Sequence, residues 1–205
     1  MNRMRRLPAA LAVLTLAAGL TACSTETEPA NMPDDTPSAE ETTTADPTAH
    51  NDADTEFAQM MTIHHEGAIE MAELAAAQAT TPEVRALGER IAAAQGPEIE
   101  LMTGWLEAWG EDPPDEADMN AMGHTGMDME GMDQEAVMAE LSSLSGPELD
   151  RRFLELMIDH HRGAIEMAEE HHASGLNDDA LALARTIIDD QQVEITEMNG
   201  LLQNL

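Results

Sequence analysis

Apolar side chains recur three and four positions apart along two long stretches of the chain, and this spacing predicts amphipathic helices. Phe57, Met61, His64, Ala68 and Met71 fall on one stripe roughly 80° wide at 100° per residue, and Phe153, Met157, His160, Ala164 and Met167 draw the same stripe again. A second kind of face carries polar residues among the apolar ones: Leu87, Ile91, Gln95, Glu98, Met102 and Leu106, answered by Leu183, Ile187, Gln191, Glu194, Met198 and Leu202. Thr81-Pro82-Glu83 supplies a helix N-cap with proline at the first helical position. Ser145-Gly-Pro-Glu148 reads as a capping box, and Gly175-Leu-Asn177 as a stop followed by a fresh start. Long helices are therefore expected over about 53–79, 82–109, 147–174 and 178–203, with a short one at about 134–144 carrying Val137, Met138 and Leu141. Pro97 lacks an N–H for the helical ladder and should kink the second helix. β content should be near zero.

The two stretches are copies. Phe57-Ala-Gln-Met-Met61-Thr-Ile-His64-His65-Glu-Gly67-Ala-Ile-Glu-Met71-Ala-Glu73 returns 96 residues later as Phe153-Leu-Glu-Leu-Met157-Ile-Asp-His160-His161-Arg-Gly163-Ala-Ile-Glu-Met167-Ala-Glu169. The same offset continues into the second helix of each unit, and about 20 of 50 aligned positions are identical, far above chance for unrelated helices. Two duplicated helical hairpins with a long connection at 110–146 predict an all-α four-helix bundle over residues 53–205.

Ahead of that domain, Arg3, Arg5 and Arg6 precede an apolar run from Leu7 to Leu20. The run is too short for the roughly 20 residues that cross a bilayer as a helix, so residues 1–22 are expected to be an export signal. Leu20-Thr21-Ala22-Cys23 resembles the lipobox of bacterial lipoproteins. That likeness implies that Cys23, the single cysteine, carries the lipid and holds the mature protein to a membrane. The chain would then sit on the outer face of the cytoplasmic membrane, or in the periplasm or at the outer membrane. Residues 23–52 are rich in Thr, Pro, Asp, Glu and Ala, and cannot bury enough apolar surface to fold; they are expected to be a disordered acidic tether.

Charge narrows the choice of partners. The chain carries 9 Lys+Arg, none of them lysine, against 41 Asp+Glu, a net charge of −32. Such a surface repels nucleic acid and anionic lipid and gathers cations. Sixteen methionines stand beside two phenylalanines, two tryptophans and no tyrosine, which singles out sulfur.

Met61 lies three and four residues before His64 and His65, so thioether and imidazole project from adjacent helical turns, and Met157 stands likewise to His160 and His161. Polar rings facing a bundle core cost several kcal/mol unless partnered, and metal ligation would satisfy them, with Gln95, Glu98, Gln191 and Glu194 accepting from the remaining ring N–H. Neutral thioethers combined with imidazoles suit Cu(I) best, with Cu(II) possible; zinc prefers thiolate, imidazole or carboxylate. The expected ligand set is Met61, His64, His65, Met71 and Met102 with their counterparts Met157, His160, His161, Met167 and Met198. The connection adds Met119, Met122, His124, Met127, Met129 and Met132, five methionines and one histidine within fourteen residues, where glycine and acid disfavour a stable helix. A flexible soft-metal loop is expected there. His171 and His172 follow Glu169 and Glu170 near a helix end and are expected to cap it. His50 lies in the tether and carries no weight.

The doubled Met-x-x-His-His-x-Gly-Ala-x-x-Met-Ala motif resembles the hallmark of the bacterial domain of unknown function family numbered 305. The resemblance covers about 53–109 and 146–203 and implies a ferritin-like bundle, export and, for several members, copper binding. Carried over by position, its motif residues are Met61, His64, His65 and Met71, and Met157, His160, His161 and Met167. Arg162 replaces the Glu66 of the first copy, and the methionine-rich connection is not a constant family feature. The leading reading is thus a copper-binding protein that sequesters, buffers or transfers the ion outside the cytoplasm, alone, as a homo-oligomer or with a copper-handling partner. Two others compete with it. A metal-free cell-surface interaction module would leave the histidines structural. A di-metal oxidase would need Glu-x-x-His on two helices, and Glu169-x-x-His172 has no duplicate.

Overall fold

The computed structural model describes residues 46–114 and 132–205. Five helices follow one another: α1 (Asp52–Gln78), α2 (Pro82–Trp109), α3 (Gln134–Ser143), α4 (Pro147–Ser174) and α5 (Asp178–Leu202). Among the described residues there is no β-strand, and no helix is long and apolar enough to cross a membrane. The four long helices lie where the apolar periodicity places them, and α2 runs unbroken through Pro97.

Short links at 79–81 and 175–177 fold α1 back on α2 and α4 back on α5. The hairpins meet through α1 and α4, whereas α2 and α5 barely touch. Close approach within the first hairpin depends on Gly88, where a Cβ would run into the backbone carbonyl of Ala72. Two apolar clusters fill the interior. One gathers Met71, Leu87, Ile91, Leu149, Phe153, Leu156, Met157 and Met198 with Val137 and Leu141 of α3. The other gathers Phe57, Met61, Met102, Leu106, Ala164, Ala168, Leu183 and Ile187. Each large apolar side chain so buried contributes about 1.5–3 kcal/mol relative to exposure.

The helix starts are capped differently from the local expectation. The hydroxyl of Thr81 makes no cap hydrogen bond, and Gly146 (φ 65°), not Ser145, is the N-cap of α4, without a side-chain bond. Tertiary bonds hold the two links. Asp150 of α4 accepts from Thr80 N at 2.8 Å, Thr81 N at 2.7 Å and Thr80 Oγ1 at 2.8 Å. Asp54 of α1 accepts from Leu176 N at 3.1 Å and from Asn177 N at 3.1 Å, and it completes a capping box with Asn51. Each hairpin thus satisfies the other's link. Burial raises both carboxyl pKa values, but the converging donors outweigh it and hold both below the ordinary aspartate value. Gly175 and Asn177 end α4 and start α5 as expected, Asn177 accepting from Asp179 N and Ala180 N.

The end of the expected tether belongs to the domain. Asn177 Nδ2 donates to the carbonyls of Pro47 and Ala49, and the His50 ring stacks on Trp109 with centroids 4.6 Å apart. These tertiary partners order a segment whose own composition could not. Cys23 and the signal segment lie outside the described residues.

Candidate metal centre

The duplicated histidine pairs meet where α1 crosses α4. His64 and His160, equivalent in the two copies, face each other with ring centroids 3.7 Å apart and planes tilted by 47°. Both are buried, and the neighbouring His65 and His161 are wholly so, further inside than their position at the edge of the helical stripe implies.

His65 and His161 are held alike. His65 Nε2 lies 2.8 Å from Glu98 Oε2, and His161 Nε2 lies 2.7 Å from Glu194 Oε2. A carboxylate only accepts, so in a neutral ring Nε2 carries the proton and Nδ1 keeps the lone pair. Nδ1 of His65, His160 and His161 is buried without a hydrogen-bond partner. An imidazole with one nitrogen bonded to a carboxylate and the other unengaged matches the arrangement that presents histidine to a metal. Burial, then the nearby His64, His161 and His65, push the His160 pKa well below its ordinary value. The glutamates thus lie where they accept from the histidine rings, as expected. The glutamines do not: Oε1 of Gln95 and of Gln191 is buried with no partner.

The buried thioethers are distributed in a repeated pattern. Met61 and Met102 share one apolar cluster, and Met157 and Met198 share the other; all four are wholly buried, as is Met71. Met167 departs from its copy Met71. It is only partly buried, and lines a separate cleft with Met60 and His171. Met132 packs at the margin of the cluster around Phe153. Met119, Met122, His124, Met127 and Met129 lie outside the described residues. Among those described, no three His, Cys, Asp or Glu side chains converge to hold a metal.

A cleft of about 260 Å3 between α2 and α5 overlies this region, lined by Gln95, Glu98, Gln191 and Glu194, with Asp190 and the Arg90–Glu197 ion pair. The two glutamates border the cleft while bonding the buried histidines.

The expected helix-capping role for His171 does not hold. Its ring is buried, stacks on Phe57 and bonds to Asp54, because Gly175 leaves room beside it. His172 is exposed and accepts from Arg185 Nε at 2.8 Å. Asp54 and Asp150 escaped the sequence reading, although Asp-x-x-Phe stands 96 residues apart in both copies, just ahead of the stripe.

The family described as Domain of unknown function (DUF305) matches residues 54–202. A DUF305 fragment from Deinococcus radiodurans is 30% identical, with 76% of this chain and 98% of that chain covered and a TM-score of 0.67. A putative secreted DUF305 protein from Streptomyces coelicolor is 33% identical over 74% of this chain and 91% of that one, with a TM-score of 0.65. CopM in its Cu(I)-bound form is also 33% identical, covers 74% and 96%, and superposes with a TM-score of 0.60. No curated protein matches.

Proposed function

This chain belongs to the domain of unknown function 305 family, and on that premise we propose that it binds copper outside the cytoplasm, as Cu(I), to sequester, buffer or transfer it. One observation carries the reading. Two copies of one motif bring His64 and His160 face to face, Nδ1 of His65, His160 and His161 is engaged by no hydrogen bond, and Met61, Met102, Met157 and Met198 are buried in the two apolar clusters. Similarity to a protein solved with Cu(I), and in other crystals with Cu(II) and silver, supports the same chemistry.

The residues fit a soft monovalent ion. Imidazole nitrogen and thioether sulfur are neutral donors, and bringing a single positive charge among them costs less desolvation than bringing a divalent one. His64, His65, His160 and His161 would hold it with Met61, Met102, Met157 and Met198, while Glu98 and Glu194 fix the ring tautomers. The acidic cleft between α2 and α5 raises the local cation concentration over the site. Met119, Met122, His124, Met127, Met129 and Met132 would capture the ion first, since thioethers have no proton to lose and bind in acid. Cys23 would carry the lipid that keeps the domain at the membrane surface. A di-metal oxidase needs a carboxylate cluster that does not form among the described residues, where Glu169 and His172 are both exposed.

Anaerobic titration of the purified protein against a coloured Cu(I) chelator tests the proposal. Wild type should strip the chelator at micromolar concentration, and a His65→Gln, His161→Gln double variant should lose at least about tenfold in affinity. No competition by wild type would sink the reading.

A further inference from the structure

Outside the histidine centre, donor side chains gather at the far end of the α1–α4 groove. A cleft of about 120 Å3 there is lined by Ala53, Glu56, Phe57 and Met60 of α1 and by Met167, Glu170, His171 and Ser174 of α4. Two thioethers and an imidazole therefore meet at one opening, bordered by two acidic side chains.

His171 is prepared as a ligand there. Its Nε2 lies 2.8 Å from Asp54 Oδ1, a wholly buried carboxylate that also accepts from the backbone of Leu176 and Asn177. Asp54 therefore accepts from Nε2–H, and in a neutral ring Nδ1 keeps a lone pair. That nitrogen is buried and has no hydrogen-bond partner, in a side chain only 3% exposed. Phe57 stacks on the ring at 4.2 Å with planes 13° apart and fixes its orientation. Space for the ring comes from Gly175, since a Cβ there would collide with His171 Nε2 and with Asp54 Oδ1.

The duplication supplies an internal control. Met60, His171 and Gly175 correspond to Leu156, Ala75 and Ala79 in the other copy. Leu156, Ala75 and Ala79 lie in a closed apolar core. The histidine and the glycine that admits it occur together, as do the two alanines. Packing requirements alone are met by the apolar set.

We propose that Met60, Met167 and His171 form a second binding site for a soft monovalent metal ion, separate from the His64–His160 centre. It rests on the copper-binding reading only in expecting the same class of ion. Two neutral sulfurs and one neutral nitrogen suit Cu(I) or Ag(I), and Glu56 and Glu170 at the rim favour a cation over an anion.

The test uses the full mature protein, labelled with 13C at methionine methyls and 15N at histidine, and titrated with Ag(I). Binding should move the methyl signals of Met60 and Met167 and shift His171 Nδ1, apart from any change at Met61, Met102, Met157 and Met198. A Met60→Leu, Met167→Leu variant should lose about one bound Ag(I) per chain and abolish the His171 shift, because leucine conserves volume but offers no donor. Shifts confined to the histidine centre would overturn the second site and leave the proposed function standing. Ag(I) and Cu(I) leaving every signal unmoved would overturn both. Should the double variant fold poorly, the wild-type His171 Nδ1 signal decides alone.

Discussion

Where α3 lies across α1 and α4, Met71, Ala75, Leu149, Phe153 and Leu156 close with Val137 and Leu141 into a continuous core. Their counterparts in the other copy, Met167, His171, Ala53, Phe57 and Met60, border an open cleft. Duplication makes two equivalent grooves along the α1–α4 seam, but the chain contains one α3 among its described residues. The covered groove can be filled with leucine, because a helix removes it from water. The uncovered groove must tolerate solvent, and it holds a histidine, two flexible thioethers and two acids. A single connecting helix thus separates the fates of two grooves built from one motif. The histidine centre between them keeps its symmetry because α1 and α4 supply it without help from α3.

Truncating the two equivalent phenylalanines separates the ends most sharply. Phe153 is wholly buried under α3, so Phe153→Ala leaves a cavity that cannot collapse and should cost about 3–5 kcal/mol. Phe57 borders a cleft already open to solvent, and Phe57→Ala should cost at least about 1 kcal/mol less. Urea unfolding of the metal-free variants reads both values. Equal losses would show that the two ends are packed alike.

Much of this was legible in the chain. The 3.6-residue periodicity and the Pro82 and Asn177 signals located the long helices, since both are local properties of the backbone. The 96-residue repeat brought the histidine pairs together, because equivalent positions on helices that pack as a pair face the same seam. Three features depended on contacts between distant segments. Asp150 holds the link ahead of α2, because a carboxylate from α4 reaches three donors of Thr80 and Thr81 where one hydroxyl reaches at most one. His171 stands on the Phe153 stripe, but the carboxylate that bonds it, Asp54, comes from α1, and Gly175 leaves the room beside it. Met60 falls beside the main stripe and meets Met167 and His171 only through the packing of α1 on α4.

The duplicated aspartates offer the next, smaller contrast. Asp150→Asn leaves the link donors at Thr80 and Thr81 poorly matched and should cost about 1–3 kcal/mol. Asp54→Asn should cost more, since it also disturbs a buried imidazole that Asp150 has no equivalent of. Both folded pKa values lie below the unfolded one, so the stabilisation is complete above about pH 4 and is lost as pH falls through the folded values. Chemical unfolding between pH 5 and pH 2 should therefore show wild type losing stability on acidification, with a shallower loss in each variant. Slopes unchanged in both would remove the two carboxylates from the acid response.

The smallest expected effect tests whether α3 acts as a cover for one end alone. Arg152 of α4 donates from Nε to Glu140 Oε1 of α3 at 2.8 Å and from Nη2 to Glu140 Oε2 at 3.2 Å. Such a partly exposed pair is worth only about 0.2–1 kcal/mol, so Glu140→Ala should barely move the unfolding midpoint. Its local consequence is more informative than its size. Val137 and Leu141 remain in the core, but the far end of α3 loses its tie to α4. Amide hydrogen exchange should therefore quicken in 138–144 and in the first turns of α4, where α3 rests, and stay unchanged over 167–174 beside the open cleft. Faster exchange at both places would mean that α3 stabilises the whole α1–α4 seam. The open cleft would then owe its character to α3 indirectly, and the two ends could no longer be read as independent outcomes of one duplicated motif.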